Sequence, residues 1–228
     1  MKLEELEKKI GVSFKDSNLL REAVTHRSYL NERPNWPVPH NERLEYLGDA
    51  VLELSISEML FKKFPEYPEG QLTLLRAALV NYQMLSQVAV SINLDRFILM
   101  SKGEAKDTGK AREVILANAI EALIGAIYLD QGLEKIKEFV DKYVAVHLGE
   151  VLRNKTYKDA KSTLQEIVQE KLKVTPTYDV LEESGPAHQK IFKIGVFFGD
   201  KLIAQGEGTS KQEGETAAAK AALKKYEN

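Results

Sequence analysis

Through most of the first 148 positions, apolar residues recur at three- and four-residue intervals, which is the spacing of helices that bury one face. The stretches LLREAVTHRSYL, LEYLGDAVLELSISEMLFKKF, GQLTLLRAALVNYQMLSQVAVSI, VILANAIEALIGAIYLD and LEKIKEFVDKYVAVHL each predict a helix, and MKLEELEKKIG predicts a short charged one before them. Pro34, Pro37 and Pro39 crowd a loop before Asn41, Pro65 and Pro68 separate the next pair, and Gly132 closes a helix. SKGEAKDTGK (101–110) is polar and predicts an exposed loop.

The pattern then changes. Residues 149–158 are polar and predict a linker, and STLQEIVQEKLK predicts a short amphipathic helix. TPTYDVLEES, HQKIFKIGVFFGD and KLIAQGEGTS are β-branched, aromatic or alternating and bounded by Gly and Pro, as antiparallel strands are. SKQEGETAAAKAALKKYEN predicts a closing Ala-rich helix. The expected fold is therefore multidomain: an all-α domain over 1–148, then a small α+β (α-β-β-β-α) domain over 159–228.

Composition narrows the function classes without choosing one. Net charge is −2 across 228 residues, and the segment from Thr156 onward holds 11 Lys and 11 acids, so neither part has the bulk positive charge that announces nucleic-acid binding. Cysteine is absent, which removes disulfides and Cys-based zinc sites. No apolar run reaches the roughly 18 residues of a membrane span, so a soluble, cytoplasmic protein with no membrane partner is expected.

Two helices carry acids in unusual places. On a helix at 100° per residue, Glu42, Glu45 and Asp49 lie within about 60° of one another. Leu44, Leu47, Ala50, Val51 and Leu54 form the expected core stripe on the other side, and Leu52, Ile56 and Leu60 continue the acidic side. The acids are then expected at a cleft rather than in bulk water, although a solvated acidic face has the same pattern. Gly48 sits in mid-helix at a cost of about 1 kcal/mol relative to Ala, which a close helix approach would explain. VILANAIEALIGAIYL is apolar on every side except at Asn118 and Glu121, which share a face. A buried Glu121 needs either a proton and a hydrogen bond or a cation. A divalent cation between the two helices answers both puzzles, and oxygen ligands suit Mg²⁺ or Mn²⁺. Carboxylates with such a metal point to phosphodiester chemistry, and no GxxxxGK[ST] phosphate loop occurs to suggest nucleotide hydrolysis.

HNERLEYLGDAVL (40–52), THRSY (25–29), EGQLTLLRAALV (69–80), the GE of SKGE and ANAIEALIGAIYLD (117–130) together resemble bacterial ribonuclease III, in family order and spacing. LQE (164–166), GPAH (185–188), GEGTSK (206–211) and the Ala-rich helix resemble a double-stranded-RNA-binding domain. The resemblance implies a Mg²⁺-dependent endoribonuclease, with Mn²⁺ a substitute, that works as a homodimer on both strands of double-stranded RNA. It implies 5′-phosphate and 3′-hydroxyl ends with short 3′ overhangs, and processing of ribosomal RNA precursors. It assigns the metal to Glu45, Asp49, Asn118 and Glu121, with Asp49 and Glu121 catalytic and Glu42 and Glu69 supporting. It assigns RNA contacts to Ser162, Gln165, Glu166, His188, Ser210 and Lys211, and the dimer interface to Tyr46.

The chain departs from the family pattern at four positions. Asn118 stands where Asp is usual and removes one negative charge, which opens an alternative reading as a non-cleaving RNA-binding dimer. Tyr46 stands where Phe is usual and adds a hydroxyl that must find a partner or water. Gln212 replaces a frequent lysine and Gly214 an alanine, so weaker RNA binding with a shallower salt slope is expected.

Overall fold

The computed structural model describes residues 3–154, 160–186 and 190–226. The chain divides into two compact units, Met1–Tyr157 and Lys158–Asn228. The first is helical, in the order α1 (Leu3–Ile10), α2 (Ser17–Ala23), α3 (Arg27–Glu32), α4 (Glu42–Lys63), α5 (Glu69–Val80), α6 (Tyr82–Ser91), α7 (Lys110–Gln131), α8 (Leu133–Tyr143) and α9 (Leu148–Asn154). The second runs α10 (Ala160–Leu172), β1 (Pro176–Ser184), β2 (Ile191–Phe198), β3 (Lys201–Gly208) and α11 (Lys211–Tyr226). The all-α unit followed by an α-β-β-β-α unit is the expected architecture.

α7 is the centre of the first unit, as its all-round apolarity requires. Eleven of its residues are buried, from Ile115 to Ile127. Its closest neighbour is α4, and glycine sets the approach. A Cβ on Gly48 would fall 1.7 Å from the Glu121 carbonyl oxygen, and one on Gly125 would fall 2.3 Å from the Leu44 carbonyl oxygen. The two backbones touch, which explains glycine in the middle of both helices.

Three expected helices are broken, two of them by a specific group. LLREAVTHRSYL divides into α2 and α3 because Thr25 forms a parallel bridge with Leu99, and His26 N–H donates to the Leu99 carbonyl at 2.9 Å. His26 then caps α3 through its ring nitrogen. The 70–92 stretch breaks at Asn81, which is extended and whose side chain accepts from the Met84 N–H at 2.9 Å to start α6. LEKIKEFVDKYVAVHL leaves the α-helix at Val144 and continues as a 3₁₀ turn over Ala145–His147.

Two further expectations need correction. The core stripe of α4 is rotated from the expected one: Leu44 and Val51 are buried, but Ala50 and Leu54 are exposed, and Leu52, Ile56 and Leu60 form the core instead. The core partner is α7, reached through Gly48, so the buried side follows the glycine rather than the densest run of leucines. The polar stretch expected as a linker from 149 begins as α9, where Val151 is buried in the helical core. Its charged residues face out and one apolar side faces in.

The Pro-rich loop before α4 has a structural role. Trp36 Nε1 donates to Thr25 Oγ1 at 3.2 Å and its ring meets Tyr29 edge-on at 5.1 Å. Ser28 Oγ accepts from the Ser101 N–H at 2.9 Å. THRSY is thus a clasp between the α2–α3 junction and the segment after Leu99.

In the second unit the antiparallel sheet has order β1-β2-β3, with Tyr178 opposite Val196 and Val196 opposite Ala204. Its core is small: Leu164 and Val168 of α10, Val196 and Ala204 of the sheet, and Ala218, Ala219 and Ala222 of α11. The alanines let α11 lie close on the sheet.

Replacing Gly48 with Ala separates two opposite expectations. Helix propensity favours Ala by about 1 kcal/mol, whereas forcing a methyl into a backbone contact costs about 1–3 kcal/mol or more. The melting temperature of Gly48→Ala is expected to fall, as read by circular dichroism.

Candidate functional site

The Gly48–Gly125 crossing places the acidic side of α4 against the polar side of α7. Glu45 and Asp49 flank Gly48 in α4, and Asn118 and Glu121 precede Gly125 in α7. Asp49 is exposed, and Glu45, Asn118 and Glu121 are half-buried. A short side chain at 48 is therefore the condition for these four groups to share one cleft.

The electrostatics of the cleft are dominated by burial and by like charge. Burial pushes the Glu121 carboxyl up to about 8, and the carboxylates of Asp49, Glu45 and Glu53 push it the same way. Burial also raises Glu45, followed by the charge of Glu42; the Asn118 amide beside it offsets part of that rise, and Asp49 adds to it. Glu121 without a cation therefore keeps its proton at neutral pH. Glu53, one turn beyond Asp49, is a contributor that the sequence reading missed. The i, i+4, i+8 spacing of Glu45, Asp49 and Glu53 on α4 is the signal that would have found it.

Among the described residues, no three His, Asp or Glu side chains already form a chelating cage. The donor chemistry nevertheless fits a hard divalent cation: the carboxylates of Glu45, Asp49 and Glu121 lie within electrostatic reach of one another, Asn118 is hydrogen-bonded to Glu45, and such a cation relieves the repulsion among the acids.

Of the two remaining acids, Glu42 borders this group and acts on Glu45 by its charge. Glu42 is 3.4 Å from Arg27 and 3.8 Å from His40, at the start of α4. Glu69 begins α5 and accepts from Thr73 Oγ1 at 2.8 Å, beside Leu54 and Phe61. Tyr46 is 83% exposed, with its side chain standing off α4.

The second unit presents its expected RNA-facing groups on two elements. Ser162 and Gln165 are exposed on α10. The side chain of Glu166 and all of His188 lie outside the described residues. At the start of α11, Ser210 Oγ accepts from the Glu213 N–H at 3.2 Å, and Glu213 in turn accepts from the Thr209 N–H at 2.9 Å. This reciprocal cap orders the helix terminus that Lys211 extends. Lys211 stands 4.0 Å from Glu183, which also accepts from Lys190 at 2.9 Å. Glu183 thus competes with any phosphate for both lysines, a feature that only the folding of β1 onto β2 reveals.

Comparison with known proteins places both units in known families. Residues 16–148 match the family described as ribonuclease-III-like, and residues 160–226 match the double-stranded RNA binding motif. The chain is 48% identical to Ribonuclease 3 of Carboxydothermus hydrogenoformans over 98% of this chain and 95% of the relative. It is 44% identical to Ribonuclease 3 of Nitratiruptor sp., over 97% of this chain and 96% of the relative. Among solved structures, the nuclease domain of ribonuclease III from Campylobacter jejuni is similar with a TM-score of 0.58 and 45% identity, covering 64% of this chain and 97% of that chain. That structure is described as flexible in a region involved in its dimer formation.

The raised Glu121 fixes the sign of a pH effect in metal-free protein. An ordinary Glu of the unfolded chain titrates near 4.5 and folded Glu121 near 8, so the fold holds this proton more tightly. That stabilisation is fully present below 4.5 and is lost as pH rises to about 8. In the presence of chelator, the melting temperature of wild type is expected to fall more steeply across that window than that of Glu121→Gln. Parallel curves would contradict the assignment.

Proposed function

The chain belongs to the ribonuclease III family, which are double-stranded-RNA-specific endoribonucleases, and from that membership we propose that Glu45, Asp49, Asn118 and Glu121 hold the cation its cleavage requires. Mg²⁺ is the proposed ion and Mn²⁺ its substitute, since all four ligands offer hard oxygens. The observation that supports this most is the convergence of α4 and α7 acids around a Glu121 that cannot comfortably ionise alone. When bound, such a cation neutralises charge at the scissile phosphate and acidifies a water molecule.

The chain's own residues have separable tasks. Glu121 holds a proton on its carboxyl in the free site, and would give it up on ligating the cation. Asp49, exposed in the cleft, is the carboxylate that substrate meets first. Asn118 contributes a neutral oxygen and steadies Glu45. Asp49 and Glu121 are the proposed catalytic pair. Glu42 and Glu69 lie at the margins, where RNA or a second subunit passes.

The second unit supplies affinity through Ser162, Gln165, Glu166, His188, Ser210 and Lys211, on the pattern of groove and phosphate contacts that double-stranded RNA allows. The protein is proposed to act as a homodimer through Tyr46, with one site per strand. Products carry 5′-phosphate and 3′-hydroxyl ends with short 3′ overhangs, and the substrates include ribosomal RNA precursors in the cytoplasm.

Asn118 favours one second reading: a dimer that binds double-stranded RNA without cutting it. Incubation with long double-stranded RNA and Mg²⁺ or Mn²⁺ separates the two. Wild type is expected to give products, and Glu121→Ala to lose them by orders of magnitude while retaining binding. Asn118→Asp, which restores one charge, is expected to tighten Mg²⁺ binding about tenfold. Binding without products under either metal establishes the second reading instead.

A further inference from the structure

Beside Tyr46 lies a hollow of about 670 Å³ between α2, the start of α4 and the end of α7. Leu19, Leu44, Leu47 and Leu129 form its apolar wall, and Glu22 of α2 stands in it as an acid. The Glu22 carboxylate is half-buried, and among the described residues no hydrogen bond reaches it. Only the charges of Arg43 and His40 lie near enough to favour its ionised form. A partly desolvated acceptor without a donor is costly.

Tyr46 presents the converse. It is 83% exposed, it also borders the hollow, and no described group accepts from its hydroxyl. One patch of surface therefore carries a protruding aromatic with a hydroxyl donor and, next to it, a hollow with a leucine wall, a charged rim of His40, Glu42 and Arg43, and the Glu22 carboxylate as acceptor. Such a patch is complementary to a copy of itself turned by a two-fold axis, and an isologous interface requires that property. A foreign partner would have to supply both the ring and its socket.

Resting on the homodimer reading above, we propose that the Tyr46 hydroxyl of each copy donates to the Glu22 carboxylate in the hollow of the other. The ring fills the leucine-walled space and the hydroxyl ends at the acid. The pairing gives this chain's tyrosine a function that a phenylalanine at the same position lacks. Glu22 becomes a residue of the dimer interface although it belongs to none of the motifs that mark the family.

The test is a double-mutant cycle on the full chain, with the dimer dissociation constant measured by sedimentation over a dilution series. Circular dichroism melts confirm that the variants fold. Tyr46→Phe and Glu22→Ala are each expected to weaken the dimer about a hundredfold or more, since each abolishes two symmetry-related hydrogen bonds to a charged group. Tyr46→Phe made on Glu22→Ala is expected to add almost nothing. Additive losses, or a Tyr46→Phe dimer as tight as wild type, overturn the pairing while the homodimer stands. A wild-type chain that sediments as a monomer throughout overturns both.

Discussion

The contact on which the candidate site's geometry depends is the crossing of two helix backbones at Gly48 and Gly125. Neither position has room for a single methyl group, because a carbonyl oxygen of the opposing helix occupies the place of its Cβ. This approach buries the apolar surface of α7 and also sets the separation of the side chains just before and after it. Glu45 and Asp49 come from one helix and Asn118 and Glu121 from the other. A wider crossing would leave Glu45 and Glu121 in water. The tight one desolvates both carboxyls and raises their pKa.

The chemistry follows from that confinement. Desolvation alone would favour neutral carboxyls, and mutual repulsion pushes in the same direction, so the cluster settles with a proton on Glu121. A divalent cation bound by these hard oxygens would displace that proton. Asn118 reduces the charge of the set by one relative to the usual family pattern. Glu53, one turn further along α4, places another carboxylate within electrostatic reach of Glu121. The site of this chain is thus a redistribution of charge around a fixed geometry.

Periodicity made the helical unit, the three strands and the closing helix legible in the sequence, because each is governed by spacing within one segment. Gly48 was legible for the same reason: a glycine in mid-helix signals an approach even when the partner is unknown. Long-range hydrogen bonds were not legible. The breaks at Thr25 and Asn81 arise from a bridge to Leu99 and from a side-chain cap, and the apolar pattern runs through both without interruption. The rotated stripe of α4 has the same origin, since Ala50 and Leu54 read as core until the α7 contact fixes the rotation. Of the candidate residues read from sequence, Glu45, Asp49 and Glu121 come within electrostatic reach of one another and Asn118 bonds Glu45, whereas Glu53 and the Glu183–Lys211 pair emerge only from packing.

The central claim is that α4 and α7 build one cation site by holding a protonated Glu121 among carboxylates. Isothermal titration calorimetry with Mg²⁺ or Mn²⁺ at pH 7, repeated in buffers of different ionisation enthalpy, tests it directly. The account predicts saturable binding with release of close to one proton per site, abolished in Glu121→Gln. Saturable binding with no proton release, or the same release from Glu121→Gln, would contradict it.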